Sequence, residues 1–237
     1  MKNIYTKHGN KNPILVLMHG WGESKETWKD IIPALSEKST VYALDLPAFG
    51  DNQKDYTVFA LKDYVAYLNN FFYEHKIEKS ILIGHSFGGR VATQFTLQYP
   101  KKVEKLVLYS SNIRFDKDSS NRMFALLNSV NKSMVLLFSV ITRGVRNKKL
   151  SPNDYTQLST IQKMIHADAQ FIDVLHQIKQ PVLLLAGRFD FLTTLSYQRT
   201  LSKKFVRAKL VTFDRSTHIA HKEERRKFIE TIKEFMR

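Results

Sequence analysis

The chain has 237 residues and carries 37 Lys or Arg against 22 Asp or Glu, a formal net charge of +15, with no cysteine. Hydrophobic residues make up 43% and aromatics 12%, ordinary globular usage that excludes disordered, collagen-like and low-complexity readings. The missing cysteines exclude a disulfide scaffold, a thiol nucleophile and any Cys-ligated zinc or iron–sulfur centre.

At this length one domain is expected, with room for an insertion. Six apolar runs read as strands. Ile14–Met18 is stopped by Gly20, and Thr40–Leu44 ends at Asp45-Leu46-Pro47. Ser80–Ile83 ends at Gly84, and Val103–Tyr109, Pro181–Ala186 and Lys209–Phe213 follow. Continuous apolar runs suit strands buried on both faces of a parallel sheet. Between them, Val58–His75 places Leu61, Val65, Leu68 and Phe72 at helical spacing, Gly89–Gln98 follows the third strand, and Lys222–Met236 aligns Phe228, Ile232 and Phe235. Strand–helix alternation with short connections predicts an α/β fold, a mostly parallel sheet flanked by helices.

Residues 113–170 break that rhythm. Ser119–Ile141 and Asn153–His166 read as helices, joined by a basic connection from Arg143 to Pro152. The expected organisation is a core formed by 1–112 and 171–237, with a short helical lid over 113–170. The apolar run Ile14–Met18 is too short for a secretory h-region. The longest run, Met134–Ile141, is eight residues, where a membrane span needs about 20. No membrane span and a cytoplasmic location are the expectations.

The sharpest chemical signal is Gly84-His85-Ser86-Phe87-Gly88-Gly89, a G-x-S-x-G pattern between a buried strand and a helix. A serine on a tight, strained turn needs small residues two before and two after it. The helix behind it points free N–H groups toward developing negative charge. A structural glycine-rich turn is the plainer alternative.

Here the sequence resembles the α/β-hydrolase superfamily over nearly the whole chain. His19-Gly20-Trp21-Gly22 resembles the family's H-G-x-G oxyanion loop, and Asp45-Leu46-Pro47-Ala48-Phe49-Gly50 its D-L-P-G-F-G turn, with Ala48 in place of glycine. Gly187-Arg188-Phe189-Asp190 stands where the family places its acid. The resemblance implies a triad in the order Ser86, Asp190, His218. A serine hydroxyl is a weak nucleophile and needs an imidazole to take its proton, and an acid must hold that imidazole's tautomer and stabilise its charge.

Of eight histidines, His218 follows the sixth strand and precedes the last helix, where the family's base sits. His221 is the main rival, with a polar position at the start of the last helix as its plainer reading. The family usually has Gly before this His, where Thr217 stands. His19 and His85 belong to loop motifs and are read as loop supports. Asp45, Asp168 and Asp173 are rivals to Asp190, but only Asp190 follows a buried strand at the family's G-x-x-D spacing. The resemblance also implies an oxyanion hole of backbone N–H groups from Trp21 and Phe87, with the Trp21 ring walling the acyl pocket.

The implied reaction is hydrolysis of a small-molecule carboxylic ester with no metal or organic cofactor. Apolar residues of the lid segment (Phe124, Leu127, Val135, Leu136, Phe138) suggest an apolar acyl pocket, or simply the surface that holds the lid to the core. Two branches of the superfamily offer alternatives. Ser86-Phe87-Gly88-Gly89-Arg90 resembles the menaquinone-pathway lyases, in which an Arg after Gly-Gly helps bind a carboxylated substrate; an Arg satisfied by neighbouring groups is the plainer reading of Arg90. The H-G-W-G loop resembles the biotin-pathway esterases, whose basic lid residues hold an acidic acyl-carrier protein. Arg143, Arg146, Lys148 and Lys149 are the candidates for that role here, against a solvated loop. A non-catalytic, ligand-binding member is a further alternative. The charge excess lies mostly in residues 113–170, with nine basic and four acidic residues, and 203–237, with eleven and five. Nucleic acid is not expected as a partner, because no aromatic-interleaved basic motif, zinc-finger spacing or helix-turn-helix signature accompanies that charge.

Overall fold

The computed structural model describes residues 3–52, 60–113 and 171–237. Its sheet has seven strands: β1 (Tyr5–His8), β2 (Ile14–Met18), β3 (Thr40–Leu44), β4 (Ser80–His85), β5 (Val103–Tyr109), β6 (Val182–Gly187) and β7 (Ala208–Phe213). They lie in the order β1-β3-β2-β4-β5-β6-β7. Strands β2 to β7 pair in parallel, and only β1 runs antiparallel, against β3. The six apolar runs are thus the six parallel strands. Edge strand β1, Tyr-Thr-Lys-His, is half-buried to exposed; it has no apolar run because one side of it faces water.

Among the described residues, six α-helices accompany the sheet: α1 (Ile32–Ser36), α2 (Leu61–Glu74), α3 (Phe87–Gln98), α4 (Leu195–Ser202), α5 (Ala220–Glu223) and α6 (Arg225–Met236). Successive side chains of a strand point to opposite faces, so β2 feeds two cores. Val16 and Met18 join Leu61, Val65, Leu68 and Phe72 of α2, Val91 and Phe95 of α3, and Leu201 of α4. Leu15 and Leu17 join Trp28, Ile32 and Leu35 on one side and Phe228 and Ile232 of α6 on the other. Each such side chain contributes about 1.5–3 kcal/mol on burial, and helices on both faces leave the inner strands no solvated side.

Strands β5 and β6 are direct neighbours, although residues 114–170 separate them in the chain. The lid helices expected there lie outside the described residues. Among the described residues, no helix is long and apolar enough to cross a membrane.

The turn after β3 shows what Ala48 does in place of glycine. Ala48 has φ of +70°, a left-handed conformation that costs an L-residue roughly 1–2 kcal/mol. The surroundings hold it there. Asp45 accepts hydrogen bonds from the Lys25 and Asp51 backbone N–H groups at 2.6 and 2.8 Å and pairs with Lys25 Nζ at 2.7 Å. His19 joins this turn to the next loop: its Nδ1–H donates to the Gly20 carbonyl at 2.7 Å, and its Nε2 accepts from Leu46 N at 3.0 Å. A ring that donates at one nitrogen and accepts at the other is neutral. Burial, which outweighs the pull of the Gly20 carbonyl, holds the imidazole below its usual range.

Candidate active site

Strand β4 ends at His85 and α3 starts at Phe87, so Ser86 alone makes the turn. Its backbone has φ of +49° and ψ of −110°, a region non-glycine residues occupy only when neighbours enforce it. Ser86 N donates to the Tyr109 carbonyl at 2.8 Å, and the Ser86 carbonyl accepts from Gly89 N at 3.1 Å. The small flanking residues have a steric cause. A Cβ on Gly84 would overlap the Gly89 backbone, and one on Gly88 would overlap the Met18 carbonyl. Ser86 is half-buried at the N-terminus of α3, where unpaired N–H groups and the helix dipole favour negative charge.

Asp190 lies three residues past β6, and His218 lies in the loop after β7. The structure brings them together, with His218 Nδ1–H donating to Asp190 Oδ2 at 2.8 Å. Asp190 Oδ1 accepts from the backbone N–H groups of Leu192 and Thr193, each at 2.9 Å, and Oδ2 also accepts from Thr193 Oγ1 at 2.7 Å. Burial disfavours the carboxylate, but the His218 and Thr193 donors outweigh it and hold Asp190 below the usual carboxylate range. The Asp190 side chain is closed to solvent, whereas that of His218 is 16% exposed. The acid is therefore fixed and the imidazole reachable.

Thr217 explains itself where the family has glycine. Its backbone is not left-handed, and its N–H and Oγ1–H donate to the two Glu223 carboxylate oxygens at 2.7 and 2.9 Å. Glu224 Oε2 likewise accepts from Arg215 N and Ser216 Oγ at 2.9 and 2.7 Å. The loop that carries His218 is tied to the residues of α5 and the α5–α6 junction.

His221 is not a surface residue at a helix start. It is 1% exposed, and its rings of neighbours are Trp28, Tyr109 and Phe228. Tyr109 OH donates to the His218 carbonyl at 2.8 Å, so at 3.0 Å it accepts from His221 Nδ1–H. His221 Nε2 is buried with no hydrogen-bond partner. Burial, with the neighbouring His85 second, pushes this imidazole down to about 3.

His85 does support a loop, as its motif position suggests. Its Nε2–H donates to the His218 carbonyl at 3.1 Å, and its ring stacks on Tyr109 with centroids 4.5 Å apart. The base loop therefore packs directly against the residue before Ser86. Two participants have no signature in the sequence: Tyr109, at the end of β5, and Glu23, whose carboxylate meets His85 Nδ1 at 2.9 Å. Both act across separations of 62 residues or more, which no local pattern encodes. The one available signal is position, since Glu23 directly follows His-Gly-Trp-Gly and Tyr109 closes a buried strand.

Trp21 and Phe87 stand edge to face at 5.1 Å, with Phe49 against Trp21 at 5.0 Å and Tyr64 against Phe87 at 5.0 Å. These rings form one aromatic cluster beside the α3 N-terminus, with Phe49 and Tyr64 closed to solvent. Arg90 stands one turn beyond Ser86 and is 1% exposed, so it belongs to the interior of α3 and not to its surface. Arg143 and Arg146 lie outside the described residues.

Comparison with known proteins agrees with this architecture. A family model described as the alpha/beta hydrolase fold matches residues 13–171. A pimeloyl-[acyl-carrier protein] methyl ester esterase of Legionella pneumophila (strain Lens) is 28% identical over 98% of each chain. The meta-cleavage product hydrolase from Pseudomonas fluorescens IP01 is 26% identical, with a TM-score of 0.78 over 98% of this chain and 93% of that one. A thermophilic esterase from Thermogutta terrifontis shares the fold at 19% identity, with a TM-score of 0.81 over 98% and 92% of the two chains. With its parallel sheet, the strained serine turn after β4 and a family match over most of its length, the chain belongs to the α/β-hydrolase fold family and is an enzyme of hydrolase type.

Proposed function

We propose that the chain is a serine esterase that hydrolyses a carboxylic ester through an acyl-enzyme, with Ser86 as nucleophile, His218 as base and Asp190 as the acid that orients it. The observation that carries this reading is the 2.8 Å His218–Asp190 hydrogen bond, on a loop packed against the strained turn that holds Ser86. With Nδ1–H committed to Asp190, Nε2 of neutral His218 is the nitrogen free to take a proton. Ser86 Oγ attacks the ester carbonyl carbon as its proton passes to His218 Nε2. The carbonyl π electrons move onto oxygen, and the backbone N–H groups of Trp21 and Phe87 receive that oxyanion. Donors of this kind are worth about 2.7–4 kcal/mol each. On collapse the C–O bond to the alcohol breaks and His218 protonates the leaving oxygen. Water, deprotonated by His218, then releases the acid and restores Ser86.

The substrate reading rests on three further observations. The aromatic wall of Trp21, Phe49, Phe87 and Tyr64 favours an apolar acyl group. Relatives aligned over 98% of their own length are named as esterases of an acyl-carrier-protein methyl ester, and residues 113–170 add an excess of basic charge. An acyl ester presented by an acidic carrier protein is therefore the preferred substrate class. A carbon–carbon lyase built on the same residues would need Arg90 and would leave simple esters untouched.

The test is steady-state hydrolysis of p-nitrophenyl esters of increasing chain length. Wild type is expected to turn over at least one of them. Asp190→Asn is expected to lower kcat by about 10⁴-fold and His218→Ala by about 10⁶-fold, as loss of the corresponding triad member does elsewhere, and His221→Ala by far less. Inactivity of wild type on every ester contradicts the esterase reading. A larger loss in His221→Ala than in His218→Ala contradicts the choice of base.

A further inference from the structure

We propose that Glu23 is a positioning residue that acts through His85 to hold in one register the three loops carrying the oxyanion donor, the nucleophile and the base. The proposal rests on the serine-esterase reading and assigns a role to a residue outside the triad.

One oxygen of Glu23 serves two loops. Oε2 accepts from Gly20 N at 2.8 Å, the residue before Trp21, and from His85 Nδ1 at 2.9 Å, the residue before Ser86. Across the same imidazole, Nε2 meets the His218 carbonyl at 3.1 Å. Both ring nitrogens thus face oxygen atoms of other loops. The Glu23 side chain is 13% exposed and that of His85 2%. A charge buried this far is costly without its partner, so the two are held as a pair. The partner has a measurable consequence at Glu23: burial disfavours its carboxylate, yet the charge and hydrogen bond of His85 hold it well below the usual range.

Two features show that the surroundings fit this pair. A Cβ on Gly20 would lie 2.9 Å from both Glu23 Oε2 and His85 Nδ1, so the pair fits only because residue 20 lacks a side chain. Tyr109 fixes the other side, stacking on the His85 ring and donating from its hydroxyl to the same His218 carbonyl at 2.8 Å. That carbonyl therefore uses both of its lone pairs. His218 is consequently held from two directions, by Asp190 at its side chain and by His85 and Tyr109 at its backbone. Displacement of a reacting group by about 1 Å costs on the order of 10²-fold in rate, which is the scale on which loss of such a clamp registers.

The experiment compares wild type, Ser86→Ala, Glu23→Gln, His85→Gln and the Glu23→Gln/His85→Gln double variant. For each, kcat and KM on a p-nitrophenyl ester, the rate of fluorophosphonate labelling and the thermal midpoint are measured. Gln at position 23 keeps an oxygen for Gly20 N and removes the charge. Glu23→Gln and His85→Gln are each expected to lower kcat and the labelling rate about 10–100-fold with KM within about 2-fold, and their double variant to be no slower than the slower single one. A folded Glu23→Gln protein with wild-type kcat, an effect confined to KM, or single effects that multiply in the double variant would each overturn the clamp. If Glu23→Gln fails to fold, Gly20→Ala keeps both side chains and sets a methyl between them; the same loss of kcat supports the clamp and a wild-type kcat overturns it. Equal labelling of wild type and Ser86→Ala is the separate result that removes the serine-esterase reading and the clamp with it.

Discussion

His218 and His221 are three residues apart and share Tyr109, yet their environments fit them for different work. His218 keeps 16% of its side chain exposed and spends Nδ1–H on a carboxylate. His221 spends Nδ1–H on a hydroxyl and leaves Nε2 among Trp28 and Phe228 with no acceptor. A proton on that nitrogen has nowhere to be solvated, which is why the group falls from its ordinary 6.5 to about 3. The sign of the linkage follows. In the unfolded chain the imidazole takes up a proton below about 6.5, and in the fold it does not until about 3, so its contribution to stability is whole above pH 6.5 and is lost as pH falls through that window. The slope is on the order of 1.4 kcal/mol per pH unit. Urea unfolding at pH 7 and pH 5 checks it: His221→Gln, which keeps a donor for Tyr109, is expected to lose less stability between those values than wild type. An equal loss in both would place the acid sensitivity elsewhere, since the depressed carboxylates Glu23 and Asp190 contribute at lower pH.

At the scale of elements, what the sequence discloses depends on whether a segment's reason for folding is local. The parallel strands are legible because each is a run such as Leu15-Val16-Leu17-Met18 buried on both faces. The serine turn is legible because Gly84 and Gly88 answer to contacts within a few residues and to the neighbouring strand. Edge strand β1 is not, since its Tyr-Thr-Lys-His pattern reflects pairing with β3 alone. Nor is the break in the last helix. The expected helix over Lys222–Met236 is instead α5 followed by α6, because Glu224 leaves helical geometry (φ −123°, ψ 48°) where its carboxylate reaches Arg215 N and Ser216 Oγ. Glu23 and Tyr109 are likewise hidden, because the contacts that tie them to His85 and His218 lie far along the chain. Helix α6 backs this part of the molecule through Phe228, which is closed to solvent and lies edge to face on Tyr109 at 4.9 Å. Phe228→Ala is expected to cost about 3–5 kcal/mol in urea unfolding, the range for a buried Phe. A cost below about 1 kcal/mol would show that α6 does not hold this wall.

For the whole molecule, the parallel sheet sorts charge from chemistry. Ser86, Asp190 and His218 all follow the C-terminal ends of strands, where α/β sheets place their ligand crevices. Several basic residues stand at the other end. Arg207 and Lys209 flank the start of β7, and Lys105 near the start of β5 donates to the Phe235 and Met236 carbonyls at the end of α6. Several cations here are partnered, as in Lys209–Glu234 at 3.1 Å and Lys233–Glu37 at 2.8 Å, exposed pairs worth little to stability. The charge at Arg207 and Lys209 is therefore poorly placed to meet a substrate, and the +5 of residues 113–170 is the charge proposed to meet a carrier protein. Exposed charges are screened over about 8–10 Å at moderate salt. On a carrier-protein-bound methyl ester, kcat/KM is expected to fall about tenfold between 50 and 500 mM salt, while that on a p-nitrophenyl ester stays level. Matching salt profiles on the two substrates would remove the carrier from the account.

The role of Ser86 as nucleophile is read at the residue itself by active-site labelling with mapping of the adduct by mass spectrometry. A fluorophosphonate is expected to modify wild type once, on the peptide containing Ser86, and to leave Ser86→Ala unmodified at an unchanged thermal midpoint. An unmodified wild type, an adduct on another residue, or equal labelling of Ser86→Ala would contradict it.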